Sequence, residues 1–151
     1  MFGLCQKKKK LEGDVVDLLE EYHTSPSRAN NYIGSVYFLI VLHGTSTRVG
    51  KIDLRIGSNE ELFYAGNIGY RIDMDRRGHG YAYEACRVLM PAARDLYSMQ
   101  DLIITCSPDN IPSRKTLEKL NGTFLGTKDV PESHWLYQRG ETVKNIYYYT
   151  L

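Results

Sequence analysis

Arg76-Arg77-Gly78-His79-Gly80-Tyr81-Ala82 joins a segment of strand character to one of helical character, and its reading decides the fold. Two glycines two residues apart let the backbone turn tightly and aim successive N–H groups into one hollow. The helix that follows brings its unpaired first-turn N–H groups and the positive end of its dipole to the same place. Such a turn seats a diphosphate. Arg76 and Arg77 add positive charge beside it.

Downstream of this loop, Ala82, Ala85, Leu89, Ala92 and Leu96 recur at intervals of three and four, which predicts a helix over 79–97 with an apolar stripe to lay on a sheet. Pro91 removes a hydrogen bond and crowds the preceding turn, so a kink is expected there. Residues 102–106 (LIITC) read as a short buried strand, and a strand–helix–strand unit favours parallel pairing with a right-handed crossover. Residues 110–120 form a second helix, 122–126 begin another strand, and the tyrosine-rich 143–151 is the last.

Upstream, a strand over about 64–72 follows a polar loop at 57–61. Before that, Ile52, Leu54 and Ile56 alternate with polar residues, and SVYFLIVLH at 35–43 is nearly continuously apolar. The turn at 44–48 makes these two an antiparallel hairpin. Residues 25–31 are turn-rich. In DVVDLLEEY at 14–22, Val15, Leu18, Leu19 and Tyr22 fall at helical spacing, which predicts a helix. No convincing strand is found in residues 1–6. The fold class is α/β (α+β): a mixed, mostly antiparallel central sheet with one parallel strand–helix–strand crossover and helices on both faces.

A chain of 151 residues, 42% hydrophobic and 25% charged, suits a single soluble domain over 1–151. Nineteen basic residues against eighteen acidic ones lack the basic excess expected of a nucleic-acid surface. The run Lys7-Lys8-Lys9-Lys10 reads as a solvated segment rather than a membrane or RNA patch. Cys5, Cys86 and Cys106 show no metal-ligand spacing and are odd in number, which fits a reduced compartment. With no apolar run long enough for a bilayer and no signal-like N-terminus, the cytoplasm is the expected location. No metal, nucleic acid or membrane partner is expected.

A dinucleotide-binding Rossmann unit would place its glycine loop early, with an acidic residue about twenty positions on at the end of a second parallel strand. Here the loop follows a hairpin, and Asp95 lies within the helix. No Gly-Lys-Ser/Thr follows, which excludes a P-loop. Four features stand in order over residues 36–126: Asn67-Ile68-Gly69-Tyr70-Arg71-Ile72, Arg77-Gly78-His79-Gly80-Tyr81-Ala82, the strand ending Thr105-Cys106, and Asn110-Ile111-Pro112-Ser113-Arg114. In these the chain resembles the GNAT superfamily of acetyl-CoA-dependent N-acetyltransferases, and within it a bacterial branch of predicted acetyltransferases.

The resemblance implies that N–H groups of Arg77, Gly78, His79, Gly80, Tyr81 and Ala82 hold the pyrophosphate of acetyl-CoA, with Asn110 and Ser113 also in contact with the cosubstrate. It implies that the strand Tyr70-Arg71-Ile72 hydrogen-bonds the pantetheine arm as an added strand would. It further implies that this strand splays from 102–106, leaving an N–H free to stabilise an oxyanion. Asn110 and Ser113 also have the spacing of a helix N-cap, with Pro112 tolerated in the first turn. Many family members carry a tyrosine where this chain has Leu117, and leucine cannot protonate a thiolate. The general acid is left among Ser113, a tyrosine of Tyr147-Tyr148-Tyr149, and water.

A general base must take a proton from the amine. Glu61 is the candidate chosen, with Glu60 and Asp73 beside it, although each also reads as a solvated loop charge. His79 in the loop and His134 beside Trp135 are further possibilities. Cys106 reads as a buried structural thiol, since nothing cationic is adjacent in sequence. The expected function is transfer of acetyl from acetyl-CoA to a primary amine, small molecule or peptide, by direct attack in a ternary complex. A CoA-binding module without catalysis is the alternative, and a protein reading only nucleotide phosphates a more distant one. Tyr147-Tyr148-Tyr149 are a candidate homodimer surface, though alternating burial explains them as well.

Overall fold

The computed structural model describes residues 7–151. In chain order the elements are β1 (Lys10–Leu11), β2 (Val16–Thr24), β3 (Gly34–Leu42), β4 (Arg48–Ile56), α1 (Glu60–Ala65), β5 (Ile68–Ile72), α2 (Tyr81–Tyr97), β6 (Asp101–Cys106), α3 (Ile111–Lys119), β7 (Thr123–Asp129), α4 (Trp135–Gln138) and β8 (Val143–Thr150). A five-stranded sheet of order β1-β2-β3-β4-β5 stands beside a three-stranded sheet of order β6-β8-β7, and every ladder within them is antiparallel. The reading of residues 1–6, and Cys5 with it, lies outside the described residues.

The core lies between the sheets and α2. Phe38, Ile40, Ile52 and Leu54 from β3 and β4 pack with Ala85, Cys86, Leu89 and Ala93 of α2, with Leu102 and Ile104 of β6, and with Leu117 of α3. Full burial of each large side chain contributes about 1.5–3 kcal/mol before the entropy of ordering is set against it. Tyr147 and Tyr149 join this cluster from β8, whereas Tyr148 points the other way and donates its hydroxyl to Asp101. The tyrosine triplet therefore follows the two-residue period of a strand.

Four segments depart from the sequence reading. The helix expected at 14–22 is instead β2, paired antiparallel with β3 from Val16↔Leu42 to Thr24↔Ser35. Its core face is Val16 and Leu18, at period two. Val15 and Tyr22 of the supposed helical stripe are exposed. Pairing with a strongly apolar neighbour outweighs local helix propensity here. Asp17 makes the strand possible, because its buried carboxylate accepts hydrogen bonds from Gly13 N, Gly44 N and His43 Nδ1.

Second, residues 60–65, divided in the reading between loop and strand, form α1, started by the Asn59 side chain accepting from Leu62 N with Glu60 and Glu61 in the first turn. Third, Leu96 is exposed and lies off the buried stripe of α2, which runs on through Pro91 with that proline on its exposed face. Fourth, His134 caps a short helix, α4, where a loop was expected.

Candidate active site

β5 and β6, joined by α2, meet at their beginnings and then part. Asn67 N donates to Ile103 O at 2.6 Å, and Asn67 Oδ1 accepts from Ile103 N at 2.9 Å. The same buried side chain donates from Nδ2 to the carbonyls of Arg55 and Gly57. No ladder pairing between β5 and β6 follows among the described residues. Both strands leave this point in the same sense, since the segments after each of them, Arg76–Ala82 and Asn110–Thr116, line one cavity. The parallel crossover is therefore present, with its hydrogen bonding reduced to a vertex.

That cavity, of about 490 Å³, is bounded by Tyr70, Arg71 and Ile72 of β5, by the glycine loop and by the start of α3. Gly78 and Gly80 have φ of 87° and 74°, and a Cβ at either would meet nothing within 4 Å. The glycines are thus required by backbone conformation, since an L side chain in this region costs about 1–2 kcal/mol. Gly80 is the N-cap residue of α2 and gives no side-chain cap, so the first-turn N–H groups stay available to a ligand. Arg77 Nε donates to Ile72 O at 3.0 Å, anchoring the loop to the end of β5. Arg76, Arg77 and Lys115 line the cavity without a carboxylate among its walls. The donor set suits a diphosphate. His79 is exposed and is not a wall residue; its ring lies beside Tyr81.

A second cavity of about 380 Å³ opens on the other side of Tyr70, and Tyr70, Arg71, Asn110 and Ser113 are walls of both. Asn110 Oδ1 accepts from Ser113 N at 3.3 Å, the N-cap bond expected of that spacing. Ser113 Oγ in turn accepts from the Tyr70 hydroxyl at 3.1 Å. Burial pushes the Tyr70 phenol up to about 12, more than the Ser113 bond lowers it, so the phenol keeps its proton at neutral pH. Leu117 is fully buried in the core.

Farther into the second cavity, Arg55 Nε pairs with Asp53 Oδ2 at 3.0 Å, and Arg55 Nη1 also donates to the carbonyls of Ala65 and Gly66. Burial raises the Asp53 carboxyl above its ordinary value, with Arg55 pulling the other way. Gly69 lies opposite Asp53 in the ladder, and a Cβ there would come within 2.8 Å of both partners. Cys106 ends β6 at this wall. Burial drives its thiol up, and the charges of Lys144 and Arg114, both distant in sequence, pull the other way without prevailing.

Other candidates stand elsewhere. Glu61 is not a wall of either cavity; its Oε1 accepts from Trp135 Nε1 at 3.0 Å, and it lines a separate hollow with Tyr37 and Asn30. His134 is buried, contacting Glu61 O through Nε2 and accepting from Leu136 N through Nδ1. Asp73 forms a surface pair with Arg48, and Glu60 is an exposed first-turn acid of α1. The sequence reading missed Asp53, Arg55 and Lys144, and gave Tyr70 only a backbone role. The signal for Asp53 and Arg55 was their place as the polar alternates of β4.

A family model described as the acetyltransferase (GNAT) domain matches residues 9–123, most of the chain. The chain belongs to the GNAT acetyltransferase family. An uncharacterized N-acetyltransferase, YjdG, of Bacillus subtilis (strain 168) is 36% identical to this GNAT protein over 70 residues, which is 46% of this chain and 41% of that one. The GNAT-family acetyltransferase structure from Bacillus anthracis is 25% identical with a TM-score of 0.58, covering 76% of this chain and 65% of its own. The chain thus spans less than two thirds of the length of both. The microcin self-immunity acetyltransferase MccE, solved with acetyl-CoA and AMP, shares the fold at a TM-score of 0.57 and 20% identity, covering 78% of this chain and 61% of its own.

Proposed function

We propose that this GNAT protein transfers an acetyl group from acetyl-CoA to a primary amine by direct attack in a ternary complex. The observation that carries the reading is the Tyr70–Ser113 hydrogen bond, set in the wall that a cationic, glycine-built cavity shares with a polar one. Arg76, Arg77, Lys115 and the N–H groups of residues 77–82 would hold the diphosphate, and the free edge of β5 at Tyr70-Arg71-Ile72 would hold the pantetheine arm.

Acetyl-CoA supplies a thioester whose carbonyl carbon forms the new C–N bond as the C–S bond breaks. Asp53 receives the proton lost by the ammonium, directly or through water, because it is the carboxylate of the second cavity whose affinity for protons is raised by burial. As the tetrahedral intermediate collapses, the Tyr70 phenol, aligned by Ser113, gives its proton to the departing sulfur and takes the second proton shed by the new amide nitrogen, through water, so that the phenol is restored. The role assigned elsewhere in the family to a tyrosine at Leu117 passes to a phenol reaching the same helix from β5, four residues earlier at Ser113. Main-chain N–H groups freed by the splay stabilise the developing oxyanion.

Calorimetric titration with acetyl-CoA, followed by a thiol-release screen against amines, tests the whole. Binding that depends on the pantetheine arm, with thiol release in the presence of an amine, is the expected result. Binding without release across a broad panel would instead support a CoA-binding module, the reading that the buried Leu117 favours.

A further inference from the structure

The second cavity carries more positive charge than an acyl-transfer site needs. Its walls hold five cations, Lys51, Arg55, Arg71, Arg139 and Lys144, against two carboxylates, Asp53 and Glu141. The whole chain has a net charge of only +1, so this is a local concentration. Arg55 is committed to Asp53, and Lys144 to Glu141 at 2.8 Å, with Arg139 at 3.9 Å from the same Glu141. Among the described residues, neither Lys51 nor Arg71 has a carboxylate within ion-pair distance.

These two unpaired cations are direct partners in the β4–β5 ladder, Lys51↔Arg71. Like charges facing each other across a strand pair are destabilising, and the arrangement becomes favourable when an anion sits between them. The phosphates of a CoA donor do not account for it. Arg76, Arg77 and Lys115 already stand on the other side of Tyr70; Arg71 lines both cavities, but its ladder partner Lys51 is a wall of the second cavity alone. A cavity of this sign also disfavours a polycation and the ammonium form of the nucleophile.

Building on the transferase reading, we propose that the acceptor is an amine that also bears an anionic group, carboxylate or phosphate, seated between Lys51 and Arg71. Two matched pairs of acceptors test it by thiol release: β-alanine against β-alaninamide, and O-phosphoethanolamine against ethanolamine, with putrescine as the cationic comparison. At least one anionic member should exceed its neutral partner in kcat/KM by about tenfold, and the pair with the larger ratio tells carboxylate from phosphate. Raising the salt should shrink the ratio.

Lys51→Glu should bring that ratio down towards one while the calorimetric affinity for acetyl-CoA stays within about twofold. Lys51 is exposed, so the fold should survive the change, and Lys51→Gln gives an intermediate ratio as a second reading. Equal use of neutral and anionic acceptors, preference for putrescine, or a ratio unmoved in Lys51→Glu would overturn the assignment and leave the transferase intact. Tight acetyl-CoA binding with no release to any amine would remove the transferase reading, and the assignment with it.

Discussion

Changing Tyr70 to phenylalanine deletes one oxygen and keeps the ring, which makes it the cleanest probe of proton delivery. We expect Tyr70→Phe to lower kcat by about 100-fold, the lower end of what a positioned acid contributes, with acetyl-CoA affinity unchanged by calorimetry. Ser113→Ala should cost less, because it misaligns the phenol without removing it. Asp53→Asn should abolish the acid limb of the kcat/KM profile. That limb reflects a carboxylate that must be ionised to accept a proton, so the rate rises with pH. Burial places it above the ordinary carboxylate value of 3.8. At the loop, Arg77→Glu should weaken acetyl-CoA binding by about tenfold or more, through lost attraction and added repulsion to phosphate. Unchanged affinity would refute the loop assignment. Of these residues, Arg77 and Ser113 stood out as candidates from motif and spacing, and both line the cationic cavity. Asp53 did not stand out, because an alternating strand shows which residues leave the core but not that their outer face walls a cavity.

Among the elements, β2 shows what local pattern reading cannot reach. DVVDLLEEY satisfies a helical spacing and a strand spacing together, and the choice rests with β3 and with the partners that Asp17 finds after Gly13 and at the far turn. The glycine loop, the 48–56 hairpin strand and α2 were legible because their signals are local. The Asp17–His43 pair predicts a specific pH response. Burial alone would raise Asp17, but the bonds from His43, Gly44 and Gly13 prevail and bring it down to about 2. The same bond raises His43 above 6.5. Stability from Asp17 is therefore full above its unfolded value of about 4 and lost as pH falls towards 2. Stability from His43 is full below about 6.5 and lost as pH rises through its elevated folded value. Urea midpoints should thus fall on both sides of a plateau between about pH 4 and 6.5, and His43→Ala should flatten the alkaline side. Asp17→Ala should destabilise by about 1–3 kcal/mol or more by leaving buried N–H groups unpaired.

For the molecule as a whole, the order from the 35–56 hairpin through loop and crossover could be foreseen, and the family resemblance implied the splay of 70–72 from 102–106, whereas the side chains that hold the cleft open could not be read. The cleft arises from contacts between residues far apart in sequence, such as Tyr70 with Ser113 and Asn67 with Ile103. Asn67→Asp should be expensive, since it sets a carboxylate oxygen against the carbonyls of Arg55 and Gly57; we expect a loss of about 3 kcal/mol in chemical denaturation. Its effect on turnover follows from leverage. An amide fastened to three segments acts as the fulcrum of a wedge, and a small rotation there is magnified along both arms before it reaches Tyr70 and Cys106. The gape of the mouth is therefore fixed by a side chain that need never touch either reactant, and variation at that fulcrum offers a way to retune reach and alignment while every chemical group stays in place.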